Sequence, residues 1–261
     1  MPYPTLYPEV NALLDNLLSA VKKTLGDDFV GMYLHGSLAL GDFTPNRSDI
    51  DFVVVTANAI SDKTFSALQD MHARVATSGL PMATELEGAY VPLNDLRGNK
   101  SDKASYPHID SGSGETLRIQ PYGSWWVVER HIFREHGIIL VGPAPTTFAP
   151  SVLPDELQQA VMEILHQHWA PMLHDPVKLR QAGYQVYAVL TMCRILYTFQ
   201  HGTIISKSSA ATWAAQSLPE YMKALVTKAL AWRNCKPFDN LNATLELVRY
   251  TLAHAHTRPP H

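Results

Sequence analysis

Residues 34–56 read LHGSLALGDFTPNRSDIDFVVVT, and the order of features in this stretch governs the reading of the whole chain. An apolar run ends in Gly36-Ser37, a short segment and loop residues follow, and Asp49-Ile50-Asp51 opens a second, β-branched run. Side chains alternate faces along a strand, so carboxylates two residues apart project the same way. Adjacent anions repel and are costly together unless a cation lies between them. Hard cations such as Mg²⁺ take carboxylate oxygens together with substrate phosphates. Gly36 lets the backbone approach a phosphate, and Ser37 adds a hydroxyl at a helix start, where N–H groups favour anions. Gly-Ser alone and Asp-x-Asp alone are commonplace. Strand, Gly-Ser, short helix, loop, then strand with Asp-x-Asp is far more specific, and points to a site for a metal-bound nucleoside triphosphate.

Working outward, apolar residues at helical spacing predict an amphipathic helix over 9–25 and another over 62–78. Strands are expected over 29–35, 49–56 and 82–91, with a short helix over 36–41. Residues 93–116, LNDLRGNKSDKASYPHIDSGSGET, are polar and rich in Ser, Gly and Asp, and are read as a long surface loop. A helix over 122–136 and a last short strand in GIILVGPAP, with a Gly142-Pro143 stop, close the first half. From residue 154 only helical periodicity is found, over 155–169, 176–200, 207–216, 219–232 and 238–255. The expectation is an α+β chain: a small mixed sheet with flanking helices in 1–150, then an all-α helical bundle in 151–261.

The chain has 261 residues, 46% of them hydrophobic, so it can bury a sizeable core. A net charge of −3 gives no overall basic field for nucleic acid. Cys193 and Cys235 are too few and too far apart for a metal knuckle or a disulfide scaffold, and both are expected to be buried free thiols. The terminal AHAHTRPPH is read as a frayed tail. His166 and His168 are read as surface helix residues. No leader and no membrane span is recognised, so a cytoplasmic monomer is expected.

The opening stretch resembles the signature of the nucleotidyltransferase superfamily. The second half narrows this: REHGIILVGPAP from Arg134, CRILY from Cys193 and ISKSSAATWA from Ile205 resemble the streptomycin/spectinomycin adenylyltransferases. The likeness covers nearly the whole chain and is weakest over 93–121. It implies a nucleotidyltransferase domain followed by a helical domain. It also implies AMP transfer from ATP to a hydroxyl of a small acceptor of the aminoglycoside or aminocyclitol kind, with pyrophosphate released. The family's two metal-binding aspartates match Asp49 and Asp51, implying two Mg²⁺ ions. Its phosphate-contacting Gly-Ser matches Gly36 and Ser37. Its base is a glutamate on the next strand, which ELEGAYV supplies as Glu87; a carboxylate there can take the proton of an attacking hydroxyl. Glu85, two residues away on the same strand face, is the competitor. An Arg and a Lys that reach the triphosphate match Arg194 and Lys207. Arg194 lies within an apolar helix, where an unpaired guanidinium is expensive. Trp232 matches an aromatic position near the base, and packing would explain it as well. Trp125 and Trp126 are read as core, although either could line an acceptor site.

Enzymes that bind polycationic aminoglycosides line the acceptor site with acids. The expected stretch here, RQAGYQVYAVLTMCR over 180–194, carries no carboxylate, and Tyr184 and Gln185 take those places. Two alternatives stay open: a nucleotide-binding sensor without catalysis, and a nucleotidyltransferase acting on RNA ends. The complete acidic set weighs against the first. The negative charge and the lack of a basic, aromatic stripe weigh against the second.

Overall fold

The computed structural model describes residues 4–45, 47–98, 104–233 and 236–255. It forms two compact units, Met1–Ser151 and Val152–His261. The first is built from α1 (Pro8–Leu25), β1 (Phe29–Leu34), α2 (Gly36–Ala39), β2 (Ile50–Thr56), α3 (Asp62–Ala76), β3 (Leu86–Pro92), α4 (Leu93–Arg97), β4 (Ser105–Ile109), β5 (Arg118–Pro121), α5 (Gly123–His136) and β6 (Ile138–Val141). Pro8 sits at the first turn of α1, where its missing N–H costs nothing. Ser61 caps α3 by accepting the Thr64 N–H.

The strands form one six-stranded sheet in the order β5-β4-β3-β2-β1-β6. Only β2 and β3 run parallel, with α3 as the crossover between them; the other pairs are antiparallel. A parallel neighbour needs such a crossover, whereas antiparallel ones need only a turn. Alternation along the central strands divides the two faces. Phe52 and Val54 of β2, with Met32 and Leu34 of β1, pack against Val10, Leu13, Leu17 and Val21 of α1 and against Leu68 and Met71 of α3. Val53 and Val55, with Ala89 and Val91 of β3, pack against Trp126 and Phe133 of α5. Each such side chain is worth about 1.5–3 kcal/mol when fully buried, so register and helix placement enforce one another.

The expected loop over 93–116 is corrected here. It holds α4 and β4, and with β5 it adds two strands to the sheet beyond β3. Residues 99–103 of that stretch lie outside the described residues. A five-residue strand containing Pro107 shows almost no alternation to detect, and proline normally argues against a strand flanked on both sides. The third strand also starts later than expected, at Leu86, after a turn in which Met82 has φ of 60°.

The second unit contains α6 (Pro154–Ile164), α7 (Ala182–His201), α8 (Lys207–Ser217), α9 (Glu220–Ala231) and α10 (Leu241–His254). The end of α6 runs on through a π turn at Leu165–Trp169 and a 3-10 turn at Ala170–Leu173. Gly202 ends α7 in the left-handed conformation, and a Cβ there would lie 2.7 Å from Pro154. Ala210, Ala211 and Ala214 line the buried face of α8, where small side chains permit close packing. Cys193 is a buried free thiol; Cys235 and the tail from residue 256 lie outside the described residues. Among the described residues no helix is long and apolar enough to cross a membrane.

Candidate active site

The chain turns sharply where β1 ends. His35 donates its backbone N–H to the Asp51 carbonyl at 3.1 Å, which ties the turn to the first residues of β2. Its imidazole is buried, and burial pushes its pKa down to about 4, so it is neutral at physiological pH. Gly36 then takes φ of 55°. A Cβ at this position would meet Asp51 Oδ2 at 1.9 Å. The glycine therefore serves two purposes, a left-handed backbone and room for the carboxylate behind it. Ser37 follows, with its carbonyl accepting the Asp42 N–H at 2.9 Å. Its hydroxyl is buried with no hydrogen-bond partner among the described residues. A buried hydroxyl left unpaired costs about 1–3 kcal/mol, which is expected where a ligand oxygen is meant to complete it.

Asp51 lies second on β2, and Asp49 immediately precedes the strand. The parallel register pairs Asp51 with Glu87 on β3, and period-2 alternation puts both on the α5 side of the sheet. Glu85 is not on the strand: its backbone carbonyl accepts the Ile50 N–H, and its carboxylate accepts the Thr84 hydroxyl at 3.1 Å. Among the two glutamates, Glu87 is the one aligned with the aspartate pair.

Glu87 is pushed up to about 9 by burial first, and then by the charges of Asp51, Asp49, Glu129 and Asp110. Such a set of acids holds together only with protons or cations among them. The donor set of Asp49, Asp51 and Glu87, beside a glycine cradle and an orphaned hydroxyl, fits a hard divalent cation carrying phosphate oxygens.

Sequence reasoning missed the next strand. His108 on β4 is buried, with Nε2 3.1 Å from Asp110 Oδ1 and Nδ1 2.7 Å from Tyr122 Oη. Asp110 also accepts from Arg118 and, at 3.1 Å, from Gln120 Nε2. Ser111 Oγ lies 3.4 Å from Glu87 Oε2. Burial dominates the upward push on Tyr122, with Glu129 and Glu87 adding to it. The alternation of His108 with Asp110 was the available signal, masked by the surrounding glycines and serines.

The remaining expected residues lie in the second unit. Arg194 is half-buried within α7. Lys207 opens α8, and its Nζ stands 4.4 Å from the centre of the Tyr187 ring. Trp232 follows α9 and donates Nε1–H to the Lys236 carbonyl at 2.8 Å, close against Gly183. Gln185 is buried, and its carbonyl oxygen accepts the Asn240 N–H at 2.9 Å, bracing the start of α10. Tyr184 is 2.9 Å from His168 Nε2. His168 is thus half-buried against Tyr184 and Trp169, not a surface residue. Trp126 is fully buried in the core, as expected.

Two family models match the chain: the nucleotidyltransferase domain over residues 14–78, and the aminoglycoside adenylyltransferase C-terminal domain over residues 153–257. The chain is similar to an aminoglycoside (3'') (9) adenylyltransferase of Shigella flexneri, with 26% identity over 85% of this chain and 84% of that one. It is similar to a spectinomycin 9-adenylyltransferase of Staphylococcus aureus, with 29% identity over 78% and 77% of the two chains. Its fold is that of a spectinomycin adenyltransferase from Enterococcus faecialis solved with ATP and spectinomycin. That likeness has a TM-score of 0.72 and 17% identity, and spans 93% of this chain and 98% of the other.

Proposed function

The chain belongs to the aminoglycoside adenylyltransferase-like family of the nucleotidyltransferase superfamily, and on that premise we propose that it transfers AMP from Mg-ATP to a hydroxyl of a small acceptor of the aminocyclitol or aminoglycoside kind. The observation that carries the proposal is the alignment of Glu87 with Asp51 across the parallel strand pair, with Gly36 backed against the same aspartate. Residues 1–150 act as the nucleotidyltransferase domain and residues 151–261 as the helical domain.

Asp49 and Asp51 hold the Mg²⁺ ions, two in number by the resemblance. Metal bound there supplies charge neutralisation and polarisation at the phosphates. The Ser37 hydroxyl donates to a phosphate oxygen, and Gly36, without a side chain, lets the backbone approach it. Glu87 takes the proton of the acceptor hydroxyl as its oxygen bonds to the α-phosphorus. The bond from that phosphorus to the bridging oxygen breaks, and pyrophosphate leaves. Arg194 and Lys207 bind the triphosphate, and Trp232 stands near the base. An ATP-using enzyme of this kind works in the cytoplasm, as a monomer, with neither membrane nor nucleic acid as a partner.

The acceptor follows from the absence of acids at Tyr184 and Gln185. Both side chains are committed, one to His168 and the other to the start of α10. An acceptor with few positive charges, of the aminocyclitol kind, suits a stretch without carboxylates better than a polycation. The test is pyrophosphate release with Mg-ATP and a panel of spectinomycin, streptomycin, other aminoglycosides and RNA. Turnover is expected with the aminocyclitol arm. Asp49→Asn and Asp51→Asn are expected to abolish it while leaving the fold intact. Release that depends on RNA alone, or near-normal turnover in either variant, overturns the reading.

A further inference from the structure

Glu87 lies on β3, His108 on the neighbouring β4 and Asp110 directly after it, and their ligand atoms lie within 4.8 Å of one another. The sheet places them. The antiparallel register Gly88 with Ile109, and Ala89 with His108, brings positions 87 and 110 side by side. Alternation keeps His108 on the face of Asp110.

The surroundings have the form of an outer shell. Tyr122 Oη occupies Nδ1 of His108 and so leaves Nε2 as the ring atom turned toward Asp110, 3.1 Å from Oδ1. Two ligands about 2.0–2.2 Å from one ion stand roughly 3 Å apart, so these atoms are spaced as neighbours on a single cation. The second oxygen of Asp110 is held by Arg118 and Gln120. Partners of this kind fix the tautomer of a ligating histidine and orient a ligating carboxylate. Arg118 opposes a cation on Asp110, but Glu87 and the acids that act on it, Asp51, Asp49 and Glu129, outweigh it.

We propose that Glu87, His108 and Asp110 form a second cation site, suited to Zn²⁺ or Mn²⁺, that shares Glu87 with the Asp49 and Asp51 site. One imidazole and two carboxylates are donors that these metals accept readily, whereas Mg²⁺ prefers oxygen alone. A metal here engages the Glu87 lone pair, so Zn²⁺ inhibits adenylyl transfer. This last step rests on Glu87 being the base; the binding does not.

The test uses the full chain without nucleotide. Zn²⁺ is titrated by calorimetry, and Co²⁺ by its visible absorption, into the parent and into His108→Gln, Asp110→Asn and Tyr122→Phe. The chain has 12 histidines, and the difference between parent and His108→Gln isolates this site from the others. One equivalent of Zn²⁺ is expected to disappear in His108→Gln and in Asp110→Asn. Tyr122→Phe should weaken it about 10–100-fold, as for an outer-shell partner. Should one of the first two variants fail to fold, the other decides. Identical Zn²⁺ and Co²⁺ titrations in parent and variants overturn the site. Zn²⁺ that binds as described yet leaves transfer at saturating Mg-ATP unchanged overturns the sharing of the base and leaves the site standing.

Discussion

Gly36→Ala tests whether the turn after β1 exists to accommodate Asp51. Two effects operate at once. The residue would have to keep φ of 55°, a conformation costing an L side chain about 1–2 kcal/mol. Its methyl would also lie 1.9 Å from Asp51 Oδ2 and 2.4 Å from Cγ. Ordinary contact needs roughly 3.5 Å, so the carboxylate must retreat by about 1.5 Å. Gly41 separates these effects, because its φ is 69° but an added Cβ would have nothing within 4 Å. Gly41→Ala is expected to lower stability by about 1 kcal/mol, a fall in Tm of about 2–4 °C. Gly36→Ala should add about 1–3 kcal/mol for the clash. It should also cut adenylyl transfer by about 10² or more, the effect of an ångström of misplacement at a reacting centre. Urea unfolding and pyrophosphate release on both variants provide the comparison. Equal turnover and equal stability in the two would refute the idea that Gly36 makes room for Asp51.

Glu87→Gln should bind Mg-ATP as the parent does and lose turnover by about 10²–10⁴, the range for a general base; if Glu85→Gln shows that pattern instead, the assignment is wrong. Arg194→Ala and Lys207→Ala should each weaken ATP binding by about 1.5–3 kcal/mol, the scale of a charged hydrogen bond, and unchanged affinity by calorimetry in both would return them to structural roles. His72 of α3 is buried 2.8 Å from Tyr90 Oη, and burial pushes its pKa down to about 4. The unfolded chain therefore takes up this proton first as pH falls, so stability present above pH 6.5 is lost toward pH 4, by about 3 kcal/mol. Denaturation midpoints measured from pH 7 to pH 4.5 should fall more steeply for the parent than for His72→Gln; parallel curves would refute this.

The part of the site built on β2 was legible because its residues carry their geometry in their spacing. Asp49 and Asp51 declare a shared face, and Gly36-Ser37 declares a turn. The five main helices of the second unit were equally plain, since each runs for about three turns or more of sustained period. What could not be read is what depends on pairing between distant strands. The place of Glu87 before GAYV favoured it over Glu85, but only the register with β2 shows that Glu87 pairs with Asp51 while Glu85 precedes the strand. His108 sits in, and Asp110 directly follows, a five-residue strand containing a proline and flanked by loop composition, where alternation is too short to register. Gln185 looked like a substitute in an acceptor lining, and nothing local reveals that it braces the start of α10.

The parallel register of β2 and β3 has a consequence for how such a chain can vary. Asp51 and Glu87 are brought together because the two strands are aligned, and the turns on either side of α3 act only as tethers. Lengthening or shortening the turns on either side of α3 leaves the alignment untouched. One residue removed within β3 just after Glu87 is different. It turns the residues before the gap over relative to the rest of the strand, so Glu87 would enter the apolar layer against α1 and α3, and Leu86 would be expelled from it. Natural length differences should therefore be tolerated around residues 57–61 and 77–84 and purged from 86–92. A library of single-residue deletions scanned across 57–92 would display that boundary directly.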